Sequence, residues 1–298
     1  METRWLYTTS YDFPKLREES KRTCVIPMGC IEKHGLHDPL GTDIIKATNI
    51  AYFASQIETV CVFPDFTFGD TPFGAHLKRP EGSICLDVRT QMLLLEQLCD
   101  EIAANGFNKI LVLNCHGGNV AWLDTFARNL GVKPHNFVFG YIRVSDLMTP
   151  HTMAKYVLEN GSGSIPELTK EDEELIIKYH NEDMLCGHAC MGETAYIMGL
   201  SPESVHLDRL GKETGLPQES PIKHITDAGI ITDSYDWFRT FPNWYEGHDP
   251  VGCNERIGKA AVRMESERIA KAFKVYKEDE AFVNYVKNSY KNPEMFEN

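Results

Sequence analysis

Residues 24–58 constrain the fold of this chain more than any other stretch. Cys24-Val25-Ile26-Pro27-Met28-Gly29 is short and apolar, which predicts a buried strand. Ile44, Ile45, Ala47, Ile50, Ala51, Phe53, Ala54 and Ile57 then recur at helical spacing, and Val60 to Phe63 returns as a second strand. Between strand and helix lies Cys30-Ile-Glu-Lys-His-Gly-Leu-His-Asp-Pro-Leu-Gly-Thr-Asp43, broken by Gly35, Pro39 and Gly41. It therefore reads as a shaped loop, with Thr42 the expected N-cap of a helix beginning near Asp43. Strand, polar loop, helix is the layout of an active-site edge in an open α/β sheet. Glu32, His34, His37 and Asp43 crowd the loop, and such oxygen and nitrogen donors suit a divalent ion such as Zn or Mn. A polar loop with capping residues is the alternative.

The same layout recurs downstream. Asp87 to Asn105 carries Met92, Leu93, Leu95, Leu98 and Ile102 at helical spacing and ends at Gly106. Ile110 to Leu113 is an uninterrupted apolar run, as expected of a central parallel strand buried on both faces. Asn114, His116, Gly117 and Gly118 follow at its carboxyl end, with Asn119 the expected cap of a helix from Val120 to Leu130. No Lys-Ser/Thr follows the two glycines, which excludes a Walker phosphate loop. A further strand is expected over Asn136 to Arg143.

Residues 64–83, rich in Pro and Gly, predict a long irregular loop that includes His76. Residues 146–187 read as an inserted helical cap over the site, or as a peripheral or oligomer-contacting hairpin. They predict one helical piece around Met153 to Leu158 and another opened by Glu171 to Glu174. Thr194 to Leu200 reads helical, placing His188 and Glu193 on its entry loop and first turn. Cys186-x-His188-x-Cys190 imitates a soft zinc site but offers only three donors. A strand is expected at Ile222 to Ile225, a turn around His248 and Asp249, and a closing helix from Asn254 to about Tyr276. No repeat or linker divides the 298 residues, so a single domain is expected.

A net charge of −13 argues against nucleic-acid and anionic-membrane surfaces. Nine cysteines without framework spacing suit reduced thiols, and no apolar stretch approaches a membrane span, so a cytoplasmic protein is expected.

Three motifs, Glu32-x-His-Gly-x-His-x-Pro-Leu-Gly-Thr-Asp43, Asn114-x-His-Gly-Gly-Asn119 and His188-Ala-x-x-x-Glu-Thr194, together resemble the creatininase (creatinine amidohydrolase) family. Arg79-Pro-Glu-Gly-Ser83-Ile-Cys-Leu86 is similar to that family's Phe-Pro-Gly-Thr-Ile-Ser-Leu segment, with one residue added. The resemblance implies a three-layer α/β/α sandwich with a mostly parallel central sheet, two divalent ions (Zn or Mn, with iron a further option), hydrolysis of a small molecule, and a homohexamer. It matches Glu32, Asp43 and His116 to the ligands of one ion, and His34 and a bridging Asp43 to those of the other. In creatininase a glutamate two residues after the second-motif histidine completes the second site. Gly118 stands there in this chain, and Glu193 is the candidate replacement. Creatininase also uses tryptophans over its substrate, whereas this chain has none between Trp122 and Trp237, so creatinine is not the expected substrate.

Charge leads to the same chemistry. Glu32, Asp43 and Glu193 gathered at one sheet edge would raise each other's pKa unless cations sat among them. Two ions bridged by Asp43 and a hydroxide would resolve this and supply a nucleophile for C–N cleavage of an amide or cyclic amide. His188 is then expected to stabilise the tetrahedral intermediate or protonate the leaving nitrogen, and Glu193 to ligate or act in catalysis. His37, His76 and Ser83 are candidate substrate contacts. The alternatives are ring-opening C–C hydrolysis of a cyclic polyol ketone of the inosose type, and a non-catalytic metal-stabilised binding or assembly protein.

Overall fold

The computed structural model describes residues 1–71, 79–142, 149–230 and 236–289 of the chain. A short 3₁₀ turn and helix α1 (Phe13–Glu19) precede strand β1 (Thr23–Met28), helix α2 (Thr42–Ile57) and strand β2 (Cys61–Val62). Helix α3 (Val88–Ala104), strand β3 (Lys109–Asn114), helix α4 (Asn119–Asn129) and strand β4 (Val138–Ile142) follow. These four strands pair in parallel in the order β2-β1-β3-β4, with Val25 opposite Leu111 and Met28 opposite Asn114. The chain steps from β1 outward to β2 and then from β3 outward in the other direction. Its topological switch point therefore lies between β1 and β3, where open parallel sheets leave a crevice at the strand ends. Both motif-bearing loops leave the sheet at that crevice.

The strand sequences alternate between two cores, which is why they read as unbroken apolar runs. Val25, Leu111 and Leu113 face Ala47, Ile50 and Ala51 of α2. Cys24, Ile26, Ile110 and Val112 face the opposite layer, against Leu95 and Ile102 of α3 and Trp122 and Phe126 of α4. Helices on both faces of a parallel sheet make the three-layer α/β/α sandwich.

Beyond β4 the regular elements among the described residues are helices: α5 (Pro150–Asn160), α6 (Lys170–Asn181), α7 (Met191–Leu200), α8 (Lys223–Asp227), α9 (Asp236–Thr240), α10 (Glu255–Glu278) and α11 (Ala281–Ser289). Acidic residues do open α6, through a capping box in which Thr169 and Asp172 satisfy each other's backbone N–H. Asp172 also accepts from Arg256 and Asn254, tying α6 to the start of α10. Met153, Val157, Ile176 and Tyr179 join the core that contains α7 and α10. The closing helix expected from Asn254 is α10, which Asn254 caps by accepting from the N–H groups of Arg256 and Ile257.

Three local expectations are corrected. Gly41, not Thr42, occupies the cap of α2, because the Thr42 hydroxyl donates back to the Pro39 carbonyl. Gly118, not Asn119, precedes α4, and the Asn119 side chain instead accepts from Asp70 N–H and Trp122 Nε1. Ile222 to Ile225 is no strand: Lys223–Asp227 is a helix on the surface, with Lys223 paired to Asp227 one turn on.

Candidate metal centre

The loop after β1 is held from outside. Glu32 N–H donates to the Leu40 carbonyl, Lys33 N–H to Ser83 Oγ, and Gly35 N–H to the Trp244 carbonyl. Asp43 occupies the first turn of α2, where the helix dipole favours a carboxylate. Lys46 follows one turn later on the same face. At the end of β3, Asn114 fixes His116 by accepting its N–H and donating to its carbonyl. Glu193 sits in the first turn of α7 and accepts from Ala189 N–H. Ala189 and Trp244 both adopt left-handed φ, 58° and 56°, a conformation costing a non-glycine residue roughly 1–2 kcal/mol. That strain lies where the two loops lock together: His37 Nε2 donates to the Ala189 carbonyl at 2.9 Å.

Six predicted residues converge at the switch point. His116 Nδ1 lies 3.1 Å from Glu32 Oε1 and 3.0 Å from Asp43 Oδ2. His34 Nε2 lies 3.7 Å from Asp43 Oδ1 and 3.5 Å from Glu193 Oε2. His188 Nδ1 lies 3.6 Å from Glu32 Oε1 and 3.8 Å from Glu193 Oε2. Each imidazole gives its other nitrogen to a backbone carbonyl: His34 Nδ1 to Glu32, His116 Nε2 to Asp70, His188 Nε2 to Lys33. A carbonyl only accepts, so those nitrogens carry a proton in either form of the ring, and the inward ones are the nitrogens that offer a lone pair once the ring is neutral. Two of the converging atoms, Glu32 Oε1 and His34 Nε2, are buried without a hydrogen-bond partner. Carboxylate oxygens and imidazole nitrogens left unpartnered in a buried cluster are what a cation satisfies.

The electrostatics carry the same imprint. Burial alone would raise Glu32, but the neighbouring His116 and His188 imidazoles hold its carboxyl below the usual range. Asp43 is driven further down, with Lys46 and His34 overcoming burial. Glu193 is held at about 2 against burial by Lys46 and His34. His34 is raised to about 9 against burial by Asp43 and Glu193. Without a metal, protons on His34 and His116 neutralise the carboxylates, and an ion would displace them. In this cluster three groups bring one donor atom per residue within 4.8 Å of one another: Cys30, Glu32, Asp43 and His116; His34, Asp43 and Glu193; and Glu32, His34 and His188.

A cavity of about 580 Å³ opens onto this cluster, walled by Trp237, Phe238, Tyr196, Thr149 and Cys186. Trp237 stands edge-on to His188 with ring centroids 5.5 Å apart and donates Nε1–H to Glu246. Sequence reasoning passed over Trp237 and Lys46. The run of aromatics from 237 to 245 signalled the first; nothing local set the second apart from an ordinary helix lysine.

The substrate-contact candidates fare differently. His37 and Ser83 are buried behind the loop and do not line the cavity; Ser83 holds Lys33 and His37 holds Ala189. His76 lies outside the described residues, as do residue 143 of the last predicted strand and the first three residues of the predicted insertion. Cys186 and Cys190 bring their sulfurs to 2.6 Å, yet His188 turns both nitrogens elsewhere, so no soft three-donor set forms there.

A family model for creatinine amidohydrolase, Creatininase, matches residues 7–273. The chain belongs to the creatininase family. Members are metal-dependent amidohydrolases, and this chain is such an enzyme by family. Solved structures share the fold at low identity. A protein of Bacteroides fragilis NCTC 9343 provisionally named creatinine amidohydrolase is 20% identical, TM-score 0.67, covering 94% of this chain and 99% of that one. A creatininase with Mn is 17% identical, TM-score 0.68, with 94% and 100% covered. A Zn–Zn form of a creatininase mutant is 16% identical, TM-score 0.66, with the same coverage. No helix among the described residues is long and apolar enough to cross a membrane.

Proposed function

We propose that this enzyme hydrolyses the C–N bond of an amide or cyclic amide in a small polar metabolite, at a divalent-ion centre built on Glu32, Asp43 and His116. One observation carries the reading: three imidazoles, each anchored to a backbone carbonyl, aim their other nitrogens into one trio of carboxylates, Glu32 and Asp43 buried and Glu193 half-buried. Zn or Mn bound there would acidify water and polarise the amide carbonyl. His34 and Glu193 surround the other oxygen of Asp43, where the binuclear expectation puts a second ion.

The chain's own groups supply the rest. His188 Nδ1 faces the cavity, accepts a proton as water attacks, and returns it to the departing nitrogen. Glu32 and Glu193, at 3.6 and 3.8 Å, stabilise the transient imidazolium. Trp237 and Phe238 present an apolar wall for a flat amide and exclude bulk water. We read the chain as one domain in which α5 and α6 cap the site, supported by Thr149, Cys186 and Gly187 on the cavity wall. A polyol ketone would ask that stretch for more hydroxyl-binding groups. The nine free thiols support a reducing, cytoplasmic setting. The homohexamer rests on the family resemblance, and sedimentation equilibrium reads it directly.

The deciding experiment is a substrate panel of lactams, linear amides and cyclic ketones offered to chelated and to Zn- or Mn-restored protein. Amine release is expected only with metal, and His188→Gln is expected to lower kcat roughly 10²- to 10⁴-fold. Turnover confined to the ketones would replace this reading with C–C hydrolysis. Full activity in His188→Gln would remove the proton shuttle.

A further inference from the structure

We propose that Lys46 supplies the second cation of the centre, so that the protein takes one divalent ion per chain. The proposal rests on the metal-centre reading above and concerns how many ions that centre accepts.

Lys46 is buried, with its side chain 1% exposed, one turn after Asp43 on α2. Its Nζ lies 2.8 Å from Glu193 Oε1 and 3.3 Å from Asp43 Oδ1. These are the carboxylates that, with His34 Nε2, would have to hold an ion at the second position. A covalently attached cation is therefore already seated on that donor set. Among the described residues no lysine or arginine is ion-paired to the donor atoms of the other set, where Cys30, Glu32, Asp43 Oδ2 and His116 Nδ1 converge and Glu32 Oε1 has no hydrogen-bond partner.

Charge balance separates the two arrangements. One divalent ion together with Lys46 neutralises Glu32, Asp43 and Glu193. A second divalent ion leaves an excess of positive charge in a buried pocket even with a bridging hydroxide, beside an ammonium that cannot leave, and buried charge without a counter-charge is strongly disfavoured. Asp43 then spans two unlike cations: Oδ2 faces the ion position and Oδ1 faces Lys46. Glu193, drawn to Lys46 through Oε1, keeps Oε2 toward His34 and His188. This assigns Glu193 to positioning Lys46 and His188 in place of ion ligation.

Ion counting tests this directly. Chelated full-length protein is dialysed to equilibrium against graded Mn²⁺, and bound metal per chain is measured by elemental analysis. Electron paramagnetic resonance on the same samples distinguishes isolated from spin-coupled Mn²⁺. Wild type is expected to saturate at one ion with an uncoupled spectrum, Lys46→Arg to do the same, and Lys46→Met to bind a second, coupled ion at least tenfold more tightly than wild type does. Wild type taking two coupled ions of similar affinity overturns the proposal without variants and leaves the metal-centre reading intact. Lys46→Met remaining at one ion, with its fold verified by circular dichroism, overturns it as well. Wild type binding none removes both readings.

Discussion

Gly118 shows what a single residue decides. The position of creatininase's second-site glutamate carries no side chain here, and sequence reasoning could note the gap but not its cause. A Cβ at Gly118 would lie 2.3 Å from the Asp70 carbonyl and 2.6 Å from His116 Nε2, although its backbone is ordinary helical. The carbonyl that fixes the His116 tautomer passes through the space a side chain would need. No glutamate fits without releasing His116. Gly118→Ala is therefore expected to weaken Zn²⁺ or Mn²⁺ binding about 10- to 100-fold, the usual cost of losing an outer hydrogen bond on a ligating histidine. Gly117→Ala, with open space at its Cβ, is expected to stay within about twofold. Equilibrium dialysis of both variants checks this, and equal losses would refute it. The converging residues were legible because they lie in compact motifs with donors at fixed spacing. Lys46 was not: its partner Glu193 is 147 positions away, and only the packing of α2 against α7 joins them.

At the scale of elements, legibility followed burial. β1, β3, α3 and α10 announce themselves because a buried face forces an unbroken or strictly periodic apolar pattern. Ile222 and Ile225 misled because two apolar residues three apart suit either a short strand or one helical turn. On an exposed surface with no strand among the described residues to pair with, the turn forms and the Lys223–Asp227 pair supports it. What no pattern revealed is how closely α7 and α10 approach. A Cβ on Gly258 would come within 2.3 Å of Gly199 N and 2.4 Å of the Ala195 carbonyl, so the helices meet backbone to backbone. α7 carries Glu193 two turns earlier, and the closeness of this crossing sets how far that carboxylate reaches toward Lys46. Gly258→Ala is expected to cost about 1–3 kcal/mol by overpacking. Lys259→Ala, exposed on the same helix, should change stability by no more than about 0.5 kcal/mol. Urea unfolding of the two variants measures both, and an unperturbed Gly258→Ala would show that α10 can yield at the crossing.

For the molecule as a whole, the net charge of −13 was legible from composition and points to a strongly solvated surface, but a few buried groups set how global stability depends on pH. Asp38 is the clearest. Burial pushes its carboxyl up to about 7, with a hydrogen bond from the Thr194 hydroxyl opposing the rise, and Oδ1 has no partner. A carboxyl raised on folding binds its proton more tightly in the native than in the unfolded chain. Its contribution is fully present below the unfolded value near 3.8 and is lost as pH climbs through 7. Between those limits the unfolded chain holds fewer protons, so Asp38 makes stability fall with rising pH, by up to roughly 1.4 kcal/mol per unit. Asp38→Asn removes that proton while keeping an acceptor for Thr194. In chelator, its unfolding free energy plotted from pH 5 to 8 should fall less steeply than that of wild type, because every other titrating group is common to both proteins and cancels in the difference. The two curves should separate between pH 5 and 7 and run parallel above. Parallel curves across the whole range would mean that Asp38 is already ionised in the folded protein, with the buried cluster of His34 and Lys46 neutralising it from a distance.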